Sequence, residues 1–171
     1  VKVKKAKSFQ VAFLGKLNKL RRFNVDIYRG ELNGVTYYFV HNKTFFSINP
    51  AENNPSGQGG CYVLNEFGID EVERFAFFSK CVYTLLEGLT LLPDKTMPLP
   101  NILIANDWHS GALSGLTKYL TLAKVYAGRL SVEVARAISS IPVVYIVHHM
   151  GYQGWDYQNT SRILNSLYED L

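Results

Sequence analysis

At 171 residues the chain has the size of one domain, and with 47% apolar and 19% charged residues its composition is ordinarily globular, which excludes wholesale disorder. No apolar run approaches the roughly 20 residues of a membrane-spanning helix, and the basic start lacks a signal-peptide core, so a soluble, cytoplasmic protein with no membrane partner is expected. The formal charge of +4 is uneven: eight of the 18 Lys and Arg precede the first acid, Asp26, so the other ten face 14 acids. Such a basic head raises the possibility of a nucleic-acid partner. No aromatic residues interleave its charges as a single-strand binding platform requires, and a solvated flank is the preferred reading. Cys61 and Cys81 have no metal or redox spacing and are read as two reduced thiols.

Ser8 to Leu14 mixes apolar and β-prone residues and reads as a short strand. Val25 to Arg29 alternates, Asn33-Gly34 tolerates positive φ at both positions, and Val35 to Val40 is rich in β-branched and aromatic residues. Together these predict a β-hairpin. Residues 47 to 61 are dominated by Pro, Asn, Ser and Gly and read as a loop, and the Gly-Gln-Gly-Gly within it lacks the strand–helix context of a phosphate cradle. From Asp70, a plausible N-cap, Val72, Phe75, Ala76, Phe78, Val82, Leu85, Leu86 and Leu89 recur at three and four residues. They predict a helix with that stripe facing the core, stopped by Pro93.

Asn101 to Ala105 is a short apolar run suited to a buried parallel strand. Helices are expected from Ser110 to about Leu122 and from Ser131 to Ser139. Pro142 opens a second apolar, β-branched strand that ends at His148-His149. The tail from Thr160 is helix-like. Alternating strands and helices predict an α/β domain with a mainly parallel sheet and an early antiparallel hairpin.

Ligands of open α/β sheets bind beyond the carboxyl ends of the strands. Both apolar strands end in chemically capable residues, Asn106-Asp107-Trp108-His109 and His148-His149, so one rim is expected to hold three of the four histidines. A carboxylate at Asp107, an aromatic plate at Trp108 and imidazoles at His109 and His148 suit a carbohydrate, with Tyr152 and Gln153 adding polar groups. Blander roles compete: Asp107 as a helix N-cap, Trp108 as core, and the histidines as structural hydrogen-bonders. A zinc site from His109, His148, His149 and Asp107 is disfavoured, because adjacent His148 and His149 on extended backbone point to opposite sides and no HxH or HExxH spacing occurs.

Asn106-Asp107-Trp108-His109-Ser110-Gly111 resembles the His-Asp-Trp-His-small-Gly segment of bacterial glycogen synthases and plant starch synthases. Val147-His148-His149-Met150-Gly151-Tyr152-Gln153-Gly154 resembles their Val/Ile-His-Asn-Leu-Ala-Tyr-Gln-Gly segment. Glu73-Arg74-Phe75-Ala76-Phe77-Phe78-Ser79-Lys80 and Gly34-Val35 with Tyr37-Tyr38-Phe39 are similar to two further segments, in the same order. The resemblance implies half of a GT-B fold and a retaining glucosyltransferase that moves glucose from ADP-glucose, or UDP-glucose, to the non-reducing end of an α-1,4-glucan with no metal or other cofactor. By position it implies catalytic roles for His148 and Asp107 and substrate-binding roles for Trp108, His109 and Tyr152. Residues 1–171 would then be one partial, acceptor-side domain, plastidic in a plant or alga. It would lack the nucleotide-sugar domain that is its natural partner and have little activity alone. The family's Lys-Ser/Thr-Gly-Gly-Leu segment has no counterpart here, Asn106 stands where His is usual, and His149 where Asn is usual. A catalytically silent glucan-binding module and a nucleic-acid binder using the first 22 residues are the alternative readings.

Overall fold

The computed structural model describes residues 2–14, 19–47, 65–94, 96–149 and 167–168. Its first half is a three-stranded antiparallel sheet in the order β1 (Lys4–Phe13), β2 (Arg21–Leu32), β3 (Val35–His41). The Asn33-Gly34 turn is observed with φ of 52° and 76°, the left-handed pair that matches strand twist, and Leu32 pairs with Val35 across it. The strand expected from Ser8 begins four residues earlier, because Lys4 to Lys7 also find partners on β2. The basic head is therefore partly woven into the sheet: Lys5 meets the Asp26 carboxylate at 2.7 Å.

Alternation along β1 and β2 sends Val11, Phe13, Val25 and Ile27 inward. They meet Phe45, from the short helix α1 (Lys43–Phe46), and Phe77, from the long helix α2 (Glu71–Leu91). The Phe45 and Phe77 rings stack at 3.7 Å, and Phe13 and Phe23 stand edge-on to both. This aromatic knot is the centre of the core.

Asp70 does cap α2, its carboxylate accepting from the Glu73 amide at 2.8 Å, and the helix ends at Leu91, before Pro93. The stripe expected to face the core needs correction. Ala76, Leu86 and Leu89 are buried, but Val72, Phe75, Phe78, Val82 and Leu85 are only half-buried. The deep positions include Phe77, Cys81 and Tyr83 with two cations, Arg74 (3% exposed) and Lys80 (1% exposed). Both charged ends are satisfied by backbone carbonyls: Arg74 Nε donates to Phe45 O at 2.9 Å and Lys80 Nζ donates to Leu167 O. A helix packed on several sides has no single apolar stripe. Burial pushes the Cys81 thiol far up, so it behaves as a small core hydrophobe.

The second half is a strand–helix–strand unit. β4 (Leu103–Asn106) pairs in parallel with β5 (Val143–Ile146), in register from Leu103–Val143 to Asn106–Ile146. The expected helix after Ser110 is interrupted: a 3₁₀ turn (Trp108–Ser110) leads into α3 (Ala112–Gly115), a π-helical turn (Leu116–Leu120) and α4 (Thr121–Tyr126), four residues past the predicted end. The helix α5 (Val132–Ser139) opens as expected, Ser131 Oγ accepting from the Val134 amide at 3.3 Å. A tight turn forces antiparallel pairing and a helical crossover permits parallel pairing. Among the described residues the two sheets are separate, three strands antiparallel and two parallel.

No helix among the described residues is long and apolar enough to cross a membrane. Leu167 and Tyr168 are helical, as expected of the tail, and Leu167 is buried. Cys61, the segment Met150 to Gly154 with Tyr152, and nearly all of the loop from Ser47 to Cys61 lie outside the described residues.

Candidate active site

The two polar strand ends meet. The parallel ladder runs one step past β4, with the Asp107 amide donating to Ile146 O at 2.7 Å. His148 Nε2 lies 3.3 Å from Asn106 Oδ1. The rim expected from the sequence is thus formed in part, by Asn106 at the end of β4 and Asp107 just past it, with His148 just past β5.

At Asp107 the ladder ends and the chain must turn into the 3₁₀ segment. It does so with φ of 57° and ψ of −176°, a conformation that L residues rarely adopt. Non-Gly residues held there cost on the order of 1–3 kcal/mol and concentrate at functional sites. The Asp107 carboxylate accepts from the Trp108 amide at 3.0 Å, its carbonyl from the Ser110 amide at 3.2 Å, and Ser110 Oγ donates to Asn106 O at 2.9 Å. The capping role and the site role therefore fall on one residue. Asp107 in turn helps hold the Tyr145 hydroxyl above its ordinary range, after partial burial as the larger cause. Tyr145 is a neighbour of this carboxylate that the motif reading passed over, since it sits inside an apolar run.

Trp108 and His109 turn back toward α2 and are half-buried. Their rings stack on each other at 4.4 Å, and Phe75 stands edge-on to both, at 5.2 and 4.5 Å. One face of the indole is thereby covered by the imidazole, which restricts Trp108 as a sugar plate. A cavity of about 420 Å³ is lined by Phe46, Arg74, Phe75, Phe78, Ile104, Asn106, His109 and Ser110. Phe75 is hidden as a site residue in the sequence because aromatic residues in helical spacing read as core, and nothing in the sequence singles out Phe46. Among the described residues no three His, Cys, Asp or Glu side chains gather as metal ligands do.

The family profile for the starch synthase catalytic domain matches residues 1–169, almost the whole chain. The chain belongs to that family. Glycogen synthase from Clostridium botulinum (strain Alaska E43 / Type E3) is 32% identical over 151 residues, covering 80% of this chain and 25% of that protein. Glycogen synthase from Oceanobacillus iheyensis is 29% identical over 134 residues, covering 78% of this chain and 20% of that protein. The chain thus spans about a fifth to a quarter of the length of these curated relatives. Among solved structures, the catalytic domain of starch synthase IV from Arabidopsis thaliana, bound to ADP and acarbose, is similar with a TM-score of 0.57. That match has 17% identity and covers 96% of this chain and 26% of the other. At that identity the likeness establishes the fold, an α/β chain matching part of a GT-B starch synthase catalytic domain. The family expected from the four sequence segments is borne out.

Proposed function

We propose that this starch synthase family chain is the acceptor-side part of a glucosyltransferase that lengthens an α-1,4-glucan in glycogen or starch synthesis. The donor is ADP-glucose or UDP-glucose, and turnover requires a nucleotide-sugar domain on the same protein. The observation that carries this reading is the meeting of the two strand ends, with Asn106 and Asp107 beside His148. A carboxylate, an imidazole and an amide on one strained rim are suited to hydrogen-bond the hydroxyls of a terminal glucose. Glucosyl transfer passes through a cation-like state, which the Asp107 carboxylate and the nearby backbone oxygens would favour electrostatically. His148 and Asp107 are assigned to the reacting end of the acceptor. His109 and Trp108 are assigned to its neighbourhood, and Tyr152 to substrate binding by the motif alone.

Two assays test this. The chain should bind maltohexaose in a calorimetric titration, yet show no incorporation when supplied with ADP-glucose or UDP-glucose. In the longer protein, Asp107→Ala and His148→Ala should each lower glucan extension by about 10²-fold or more. Robust extension by the 171-residue chain would refute the need for a second domain. Unchanged extension in both variants would refute the roles given to Asp107 and His148, whereas maltohexaose binding with no extension even by the longer protein would favour a silent glucan-binding module instead.

A further inference from the structure

One contact at the rim joins residues 42 positions apart and follows from the strand register. Asn106 pairs with Ile146 at the end of the ladder, and His148 follows two residues later, in a bend just past β5. The amide oxygen of Asn106 reaches the His148 ring at Nε2, 3.3 Å away. The Asn106 backbone is itself held, its carbonyl accepting from Ser110 Oγ at 2.9 Å and its strand paired to β5.

A carbonyl oxygen only accepts hydrogen bonds, so the ring nitrogen facing it must carry the hydrogen. A neutral imidazole has one N–H, and fixing it at Nε2 leaves Nδ1 as the acceptor. We propose that Asn106 is a positioning residue: its side-chain carbonyl accepts from His148 Nε2–H and sets the orientation and tautomer of that ring. The assignment of His148 to the sugar rests on the function proposed above, and under it Nδ1 is the nitrogen offered to a glucose hydroxyl. An imidazole at position 106, usual in the resembling sequences, would itself exchange donor and acceptor roles. The amide is neutral at every pH and keeps one polarity once its orientation is set. Asn106 therefore makes the His148 ring a fixed rather than a switchable hydrogen-bonding group.

The test is long-range ¹H–¹⁵N spectroscopy of the imidazoles in the ¹⁵N-labelled 171-residue chain at about pH 8.5, above the ordinary imidazole range. His148→Gln assigns the resonances. The wild-type ring should be almost wholly the Nε2–H tautomer. Asn106→Leu removes the acceptor, and the ring should move toward the mixed population of a free imidazole. Asn106→Asp, which can only accept, should retain the wild-type pattern. A merely structural asparagine would not give this division between Leu and Asp. Amide spectra of β4 and β5 serve as the folding control, with Asn106→Ala as the replacement if the leucine variant is misfolded.

An Nδ1–H tautomer in the wild type, meaning that the amide is reversed, would overturn the proposal. So would an unchanged ring in both Asn106→Leu and Asn106→Ala. Titration with maltohexaose separates this proposal from the function: binding should weaken about five-fold in Asn106→Leu. If the tautomers behave as stated but the sugar leaves the His148 resonances unmoved, the positioning role stands and the glucan assignment fails. If the sugar moves them while the variants keep the wild-type tautomer, the glucan assignment stands and the positioning role fails.

Discussion

The backbone of Asp107 offers a direct test of whether the rim is strained, because strain inverts a familiar preference. At an ordinary position glycine is less stable than alanine by about 0.5–1 kcal/mol, through the entropy of the unfolded chain. At φ 57° and ψ −176° the alanine Cβ is held where L residues are disfavoured, at a cost of about 1–3 kcal/mol that glycine escapes. Both Asp107→Gly and Asp107→Ala lose the side-chain acceptor for the Trp108 amide, worth about 1 kcal/mol, so that loss cancels between them. Both keep the amide bond to Ile146 O. The difference isolates the backbone: the glycine variant should be the more stable by about 1 kcal/mol, or about 2–4 °C in Tm for a chain of this size. Urea unfolding followed by far-ultraviolet circular dichroism reads the difference through the transition midpoint. An alanine variant equal to or more stable than the glycine variant would refute the claim that Asp107 is strained. The functional corollary is that Asp107→Gly folds well yet binds maltohexaose poorly, since the carboxylate is gone.

Two further outcomes concern stability alone. Lys124 Nζ donates to both oxygens of Glu87, at 2.9 and 3.0 Å, while the Tyr83 hydroxyl donates to one of them at 2.8 Å. The pair is largely buried. Glu87→Ala should therefore destabilise the chain by about 3 kcal/mol in urea unfolding, and the double variant Glu87→Leu with Lys124→Leu by less than that single change. The second outcome depends on pH. Hydrogen bonds from Lys5 and then Ser8 hold the Asp26 carboxyl below its ordinary range. A carboxyl depressed in the folded state stabilises above its unfolded value, about 3.9, and that contribution is lost as pH falls through the folded value. Asp26→Asn should thus lower Tm at pH 7 and converge with wild type in acid, once that carboxyl is protonated in both states. A difference that persisted in acid would place the effect in packing rather than charge.

What could be read from the sequence was what local chemistry decides. Asn33-Gly34 specifies its own turn, Asp70 and Ser131 cap the helices they precede, and two β-branched runs ending in polar residues mark a rim. What stayed hidden depends on partners far along the chain. Nothing near Arg74 or Lys80 announces that their charged ends will meet the carbonyls of Phe45 and Leu167, 29 and 87 residues away. Counting apolar spacing therefore chose Val72, Phe75 and Phe78 for the deep face and left out both cations. The motif placed His148 near Asp107, but the Asn106 contact required the register of β4 against β5. The π-helical turn at Leu116–Leu120 has no sequence signal that we identify.

The way the rim is built decides which groups can meet a sugar. The ladder continues to the Asp107 amide and the chain then reverses sharply, so everything after Asp107 is carried away from the strand direction and back toward α2. Trp108 and His109 consequently spend their surfaces on each other and on Phe75, while Asn106 and His148, whose strand positions precede or face that reversal, remain exposed. The reversal thus leaves an amide and an imidazole exposed at the rim, beside the exposed Tyr145, Ile146 and Val147. Recognition of a glucose unit there would draw on hydrogen bonds from these polar groups, with the indole restricted as a stacking face. Under that reading the indole serves to hold the carboxylate's turn against the long helix, and the tautomer of His148 matters more than the plate beside it.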